Sequence, residues 1–146
     1  MMMIFARLEA SVSQDEGLKL KPYLDTEKVW TIGRGTTFIG DRPVTESTPA
    51  ISEAFADQLL RAELFDACLG AQKFCPNFSA LSDIRQEVVV EMCYQLGYQR
   101  LSQFNHFREA LMREDWAGAA AEMRNSAWDR ETHNRAEHLA TLMEAG

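Results

Sequence analysis

The 146-residue chain is poor in the features that mark several protein classes. It has three cysteines, Cys68, Cys75 and Cys93, an odd number with no CxxC pair. That excludes a disulfide framework or a cysteine zinc site, and the thiols are expected to be reduced and buried. Its histidines are His106, His133 and His138, none in HExxH spacing, and the last two stand off a common helical face. No metal and no other cofactor is expected. No stretch nears the ~20 apolar residues that span a bilayer, so no stable membrane association is expected. The opening MMMIFA meets Arg7 and Glu9 at once, too short an apolar run for an ordinary signal peptide. There is no internal repeat, no low-complexity tract and no Walker-type loop, and Gly33-Arg34-Gly35 is too short for a dinucleotide fingerprint. Basic charge is scarce: 15 Lys+Arg face 22 Asp+Glu, a formal charge of −7. A general nucleic-acid binder carries the opposite balance, so no nucleic-acid partner is expected.

What is present is an ordinary globular composition, 46% hydrophobic and 25% charged, in a chain long enough to bury a core. Met1–Leu20 reads as helical, with Ile4, Phe5, Leu8, Val12 and Leu18 as its apolar positions. The stretch from Tyr23 to Pro49 changes character. Short β-prone runs, Val29–Ile32 and Thr36–Ile39, stand among turn formers and predict a small, irregular antiparallel sheet. Ser52 then reads as an N-cap with Glu53 in the first turn. Phe55, Leu59, Ala62, Phe65 and Leu69 follow at helical spacing, widened by Leu60, Leu64 and Ala67. A helix over 52–71 is ~30 Å long and bridges two lobes. Four further helices are expected: one over 81–96 with Val88, Val89, Val90, Met92 and Cys93 in the core and Gly97 at its end, then helices around Phe104–Met112, Trp116–Met123 and Ala136–Met143. The fold class is α+β, with a small antiparallel-sheet lobe at about 13–56 and a larger helical lobe of about 1–12 plus 57–146.

The most informative segment runs from Asp15 to Gly35. Glu16 falls near a helix C-terminus, where Gly17 and Pro22 turn the chain into the sheet. Asp25 falls at the end of the first strand, and a hairpin about Thr26–Lys28 returns Thr31 beside it. Side chains alternate along a strand, so Val29 and Thr31 share a face. Two carboxylates and a hydroxyl facing one cleft are what glycoside hydrolysis needs: an acid for the leaving oxygen and a carboxylate to activate or replace water. Such an acid works near neutrality when burial raises its pKa. Spacing alone does not decide the matter, because two acids within ten residues more often mark a solvated face.

The segment as a whole resembles the N-terminal signature of the T4-type phage lysozymes, the muramidases of glycoside hydrolase family 24. Glu16-Gly17, the Leu and Lys steps, Tyr23-Leu24-Asp25-Thr26 and Trp30-Thr31-Ile32-Gly33-Arg34-Gly35 follow the family's order and spacing. Met92–Gly97, Phe104, Trp116–Ala120, Ser126–Trp128 and Thr132–Ala136 extend the likeness over nearly the whole chain. The resemblance implies a lysozyme-like fold whose two lobes bind a peptidoglycan glycan strand between them. It implies inverting hydrolysis of the β-1,4 bond between N-acetylmuramic acid and N-acetylglucosamine. Glu16 matches the general acid, Asp25 the carboxylate that activates water, and Thr31 the threonine that holds it. Arg135 matches an arginine that pairs with the catalytic glutamate. Tyr94 and Gln95 match groups lining the sugar cleft, and Thr37, Phe107 and Glu122 occupy further sugar-contact positions with altered residue types.

Three departures stand out. Thr36 replaces a histidine that usually belongs to a structural ion pair. Lys28 replaces a turn glycine, which predicts a turn of different type, since a positive φ there costs of order 1 kcal/mol. The region Thr37–Ile51 is shorter than in the best-known member. Arg34 faces either substrate or solvent, and the tryptophans serve either packing or sugar stacking. The implied biology is a monomeric phage endolysin, held in the host bacterial cytoplasm until a holin releases it to the cell wall. The competing expectations are a lytic transglycosylase and a catalytically silent wall-binding or virion structural protein. A −7 chain gains no general attraction to an anionic wall beyond a local patch of Lys19, Lys21, Arg34 and Arg42. Binding to purified sacculi is therefore expected to weaken only mildly between low and physiological salt in a pelleting assay. A steep loss would show that charge dominates wall binding.

Overall fold

The computed structural model describes residues 2–146, with side chains from Phe5 onward. The chain divides into two compact units, one over Phe5–Phe65 and the other chiefly over Asp66–Gly146. The fold is α+β and lysozyme-like: mostly helical, with a small antiparallel sheet.

The first unit opens with α1 (Met2–Glu16), which buries Leu8 and Val12. Ile4 lies outside the residues whose side chains are described. The helix stops earlier than the 1–20 reading, and Leu18 is not part of it. Gly17 takes φ 71°, a conformation that favours glycine and ends the helical run. Next come β1 (Lys19–Leu24) and β2 (Trp30–Gly33), paired antiparallel with Tyr23 opposite Thr31 and Leu24 opposite Trp30. Pro22 sits in β1, where the register shifts between Lys19 and Tyr23; a residue without an N–H is tolerated at such an irregular edge. A second, minimal pair, β3 (Phe38–Ile39) with β4 (Arg42–Pro43), turns at Gly40.

The long helix α2 (Glu53–Phe74) begins where the Ser52 hydroxyl accepts from the amide of Phe55, and it runs from the first unit into the second. Its buried stripe is Ala56, Leu60, Leu64, Ala67, Cys68 and Ala71. The stripe of Phe55, Phe65 and Leu69 is exposed instead, at 37%, 58% and 51%. Two apolar stripes run along this helix, and the packed one carries the small residues. Arg61 pairs with Glu9 on α1 at 2.9 Å.

The second unit continues with a 3-10 turn (Phe78–Ala80), then α3 (Asp83–Leu101), α4 (Asn105–Met112), α5 (Trp116–Arg124), α6 (Ala127–Glu131) and α7 (His133–Ala145). Val88, Val89, Val90, Met92 and Cys93 are buried on α3, as their apolar run predicts. Gly97 breaks α3 with φ 79° and ψ 154°, and one further helical turn follows it to Leu101. Ala119 and Ala120 on α5, with Ala136 and Ala140 on α7, are fully buried; their small side chains let these packed helices approach closely. Arg85 closes the unit by donating to the carbonyls of Met143 and Glu144 near the end of α7 while its guanidinium covers Trp116 at 4.0 Å. Trp116 therefore serves packing. All three cysteines are free and buried, and burial together with Cys68 pushes the Cys93 thiol up to about 11. Among the described residues no helix is long and apolar enough to cross a membrane.

The Lys28 turn keeps the left-handed backbone, at φ 62°, despite the lost glycine. Lys28→Gly relieves that strain at some cost in chain entropy, and is expected to stabilise the fold by about 0.5–1 kcal/mol. A thermal melt should show the higher midpoint; an unchanged or lower one would mean the turn is unstrained.

Candidate active site

Four side chains of the first unit are drawn together by one helix end and one hairpin. Glu16 is the last residue of α1 and is half-buried. Its carboxylate rests on the backbone of Gly35. A Cβ built on Gly35 would lie 2.5 Å from Glu16 Oε2 and 3.0 Å from its Cδ. Gly35 also holds φ 83°, so both its conformation and its missing side chain are needed. What the bare backbone of Gly35 accommodates is the acid itself.

Asp25 follows β1 directly. Its Oδ1 accepts from the amides of Glu27 and Val29, each at 2.8 Å, and its backbone amide donates to the carbonyl of Val29 at 3.0 Å. The carboxylate is thereby fixed across the turn, and Oδ2 takes no part in these bonds. Thr31 is buried, and its hydroxyl donates to the carbonyl of Val29 at 2.9 Å. With its proton so committed, its oxygen lone pairs remain to accept. Tyr23 lies opposite Thr31, and cross-strand partners share a face. The phenol of Tyr23 is held above its ordinary value of 10 by burial first, then by the negative charges of Glu16 and Asp25. Both carboxylates thus act on one tyrosine hydroxyl.

Arg34 departs from both readings offered for it. Its side chain is 15% exposed, and it donates from Nε to Asp57 Oδ1 at 2.5 Å, from one terminal nitrogen to the Gly17 carbonyl at 3.2 Å and from the other to Glu53 Oε1 at 3.3 Å. It is an internal clamp and leaves the basic surface patch. Thr36 is fully buried, and its hydroxyl finds no hydrogen-bond partner among the described residues. Thr37 is half-buried, with its carbonyl bonded to the Val44 amide.

The remaining candidates stand in the second unit. Tyr94 and Gln95 are half-buried on α3, and the side-chain oxygen of Gln95 accepts from the indole of buried Trp128 at 2.9 Å. Glu122 is half-buried on α5, and Arg135 half-buried in the first turn of α7. Phe107 is corrected. It is 1% exposed, stacked on Phe74 with ring centres 6.0 Å apart, and has no face left for a sugar. No group of three or more metal-ligating side chains is present among the described residues.

A proton donor on one element and a water-holding pair on another are the two parts that cleavage of a glycosidic bond demands. Glu16 on α1, and Asp25 with Thr31 on the hairpin, are residue types compatible with those two parts, and with the lysozyme-like fold they define the class to compare with, the lysozyme-type glycosidases. The phage lysozyme family model matches residues 13–144, and the chain belongs to that family. Two relatives from Dictyostelium discoideum are similar over most of both chains. Probable T4-type lysozyme 1 is 28% identical, covering 90% of each chain. Probable T4-type lysozyme 2 is 24% identical, covering 95% of this chain and 94% of its own. The pre-baseplate central spike protein Gp5 of Enterobacteria phage T4 is 28% identical over 91% of this chain, but over only 27% of its own length.

Two glycines separate the contact from the conformation. Gly35→Ala would push on the Glu16 carboxylate and is expected to lower turnover by about 10-fold or more, with about 1–2 kcal/mol of lost stability. Gly40, at φ 64°, has open space around it, so Gly40→Ala should cost similar stability and leave turnover intact. Melting curves and initial rates on purified sacculi, taken together, check both; equal activity in the two variants would remove the Gly35–Glu16 contact from the mechanism.

Proposed function

We propose that this protein is a peptidoglycan muramidase that hydrolyses the β-1,4 bond between N-acetylmuramic acid and N-acetylglucosamine. The observation that carries the reading is the first-unit constellation: Glu16 on the bare backbone of Gly35, and Asp25 with Thr31 on one face of the hairpin. Glu16 gives its proton to the leaving glycosidic oxygen as the bond from the anomeric carbon breaks. The Asp25 Oδ2 and the Thr31 lone pairs accept the two hydrogens of one water. That leaves the water's own lone pair for the anomeric carbon, while Asp25 takes the proton it sheds. Attack from the face opposite the departing oxygen inverts the configuration. A lytic transglycosylase uses the substrate's own hydroxyl and has no need of such a pair, so hydrolysis is favoured.

Arg135 keeps the supporting role that the resemblance assigns to it, and Tyr94, Gln95, Thr37 and Glu122 remain the candidate sugar contacts. The reading extends to a monomer that reaches the wall through a holin lesion and causes lysis at the end of phage infection. The match to Gp5 favours a second setting, in which the same chemistry belongs to a virion part. Glu16 is required in both.

Glu16→Gln is expected to cut the clearing of outer-membrane-permeabilised Gram-negative cells by about 10²–10⁴-fold while melting as the wild type does. Mass spectrometry of the digested wall should show reducing ends rather than anhydro-muramic ends. Equal clearing by the two proteins would end the muramidase reading, and anhydro products would convert it to a transglycosylase.

A further inference from the structure

Resting on that reading, we propose that Arg34 is a positioning residue for the general acid, holding the backbone just beyond Glu16 to the start of α2. Three neighbouring residues divide the work. Gly33, at φ 67°, lets the end of β2 lie against α2, where an added Cβ would stand 3.1 Å from that of Ala56. Gly35 does the same against Glu16. Arg34, between them, is directed at both partners. Its guanidinium donates to the carbonyl of Gly17, the residue after Glu16, and to the carboxylates of Asp57 and Glu53 in the first turns of α2.

The need for such a clamp follows from where Glu16 stands. A helix end leaves its last carbonyls without intrahelical partners, and it frays. An acid on the final residue would move with it. Gly17 adds freedom at the next position, since it has no side chain and a left-handed backbone. Arg34 removes that freedom by tying the Gly17 carbonyl to a 22-residue helix. Asp57 and Glu53 hold the guanidinium in place and offset its charge. A planar guanidinium meets three acceptors at once, whereas an ammonium on a flexible stem does not hold them in the same geometry. The acceptors that define its role are the Gly17 carbonyl, Asp57 and Glu53, so Arg34 acts through the backbone that carries Glu16.

The test is steady-state hydrolysis of a soluble peptidoglycan oligosaccharide, at a temperature where circular dichroism shows each variant folded. Arg34→Gln is expected to lower kcat by about 10–100-fold, with KM within about twofold of wild type. Arg34→Lys should recover no more than about threefold of that loss. Asp57→Asn, a milder change to the same anchor, should lower kcat by about 3–10-fold, and the double variant should be no slower than Arg34→Gln alone. Arg113→Gln removes an exposed charge from the second unit and should leave kcat unchanged. If Arg34→Gln fails to fold, the Asp57→Asn result decides in its place. Wild-type kcat in the folded variants, a loss carried by KM, or full rescue by lysine would overturn the positioning role. Glu16→Gln on the same oligosaccharide keeps the two readings apart. An active Glu16→Gln sinks the muramidase assignment, whereas an inactive one beside a fully active Arg34→Gln sinks the clamp alone.

Discussion

The contact between the Glu16 carboxylate and the bare backbone of Gly35 is the constraint on which the site depends. A general acid must be reachable by substrate yet fixed to a fraction of an ångström. A helix terminus meets the first need and works against the second. Here the terminus is stopped by Gly17, seated on Gly35 and tied through Arg34 to α2. Glycine is required at position 35 for two separate reasons, a positive φ and a space already filled by another residue's carboxylate. No other residue type satisfies both.

In the proposed mechanism the hairpin meets the complementary need, holding a base still without neutralising it. Asp25 gives one oxygen to two backbone amides of the turn and keeps the other out of those bonds. Thr31 directs its proton into the backbone and presents lone pairs. Both orientations follow from the register that sets Tyr23 opposite Thr31. A slip of one residue would turn Thr31 to the other face and dismantle the pair. The strained turn at Lys28 is consistent with this demand. The chain accepts a left-handed lysine where a glycine would fit more easily, because the bonds from Asp25 to Glu27 and Val29 need that turn geometry.

Much of this was legible in the sequence, and what was not has identifiable causes. Local signals carried far. Gly17 after Glu16, the turn after Asp25 and the Ser52 cap each act within a few residues, and each appears where it was expected. Long-range partners were invisible. Arg34 reads as a surface charge because its carboxylates lie 19 and 23 residues away on a helix whose facing cannot be known in advance. On α2 the expected Leu60, Leu64 and Ala67 are buried, whereas Phe55, Phe65 and Leu69, at the same helical period, are exposed, because periodicity alone does not tell which of two apolar stripes faces the core. Phe107 was assigned to sugar by its place in the motif order, but Phe74 and Phe104 enclose it. The helix α6 has no sequence signature, because five residues of mixed polarity show no period.

The acidic balance of the chain also takes on a different meaning. A net charge of −7 offers no long-range pull toward an anionic polymer, and the internal pairing of Arg34 leaves less basic surface than the residue count suggests. The cations that remain exposed beside the site include Lys19 and Lys21 on β1, Lys28 in the hairpin turn and Arg42 on β4. Lys19 stands over the ring of Tyr23 at 5.1 Å, on the same tyrosine whose hydroxyl feels Glu16 and Asp25. Other exposed cations, Arg61, Lys73, Arg100, Arg113 and Arg130, are spread over both units, so only a few lie near the hairpin. Screening limits their reach to about 10 Å at ordinary salt, which is the scale of a few sugar rings. In the proposed muramidase such charge would orient only a strand already in contact, and recognition would rest on short-range contacts that a net charge neither supplies nor prevents.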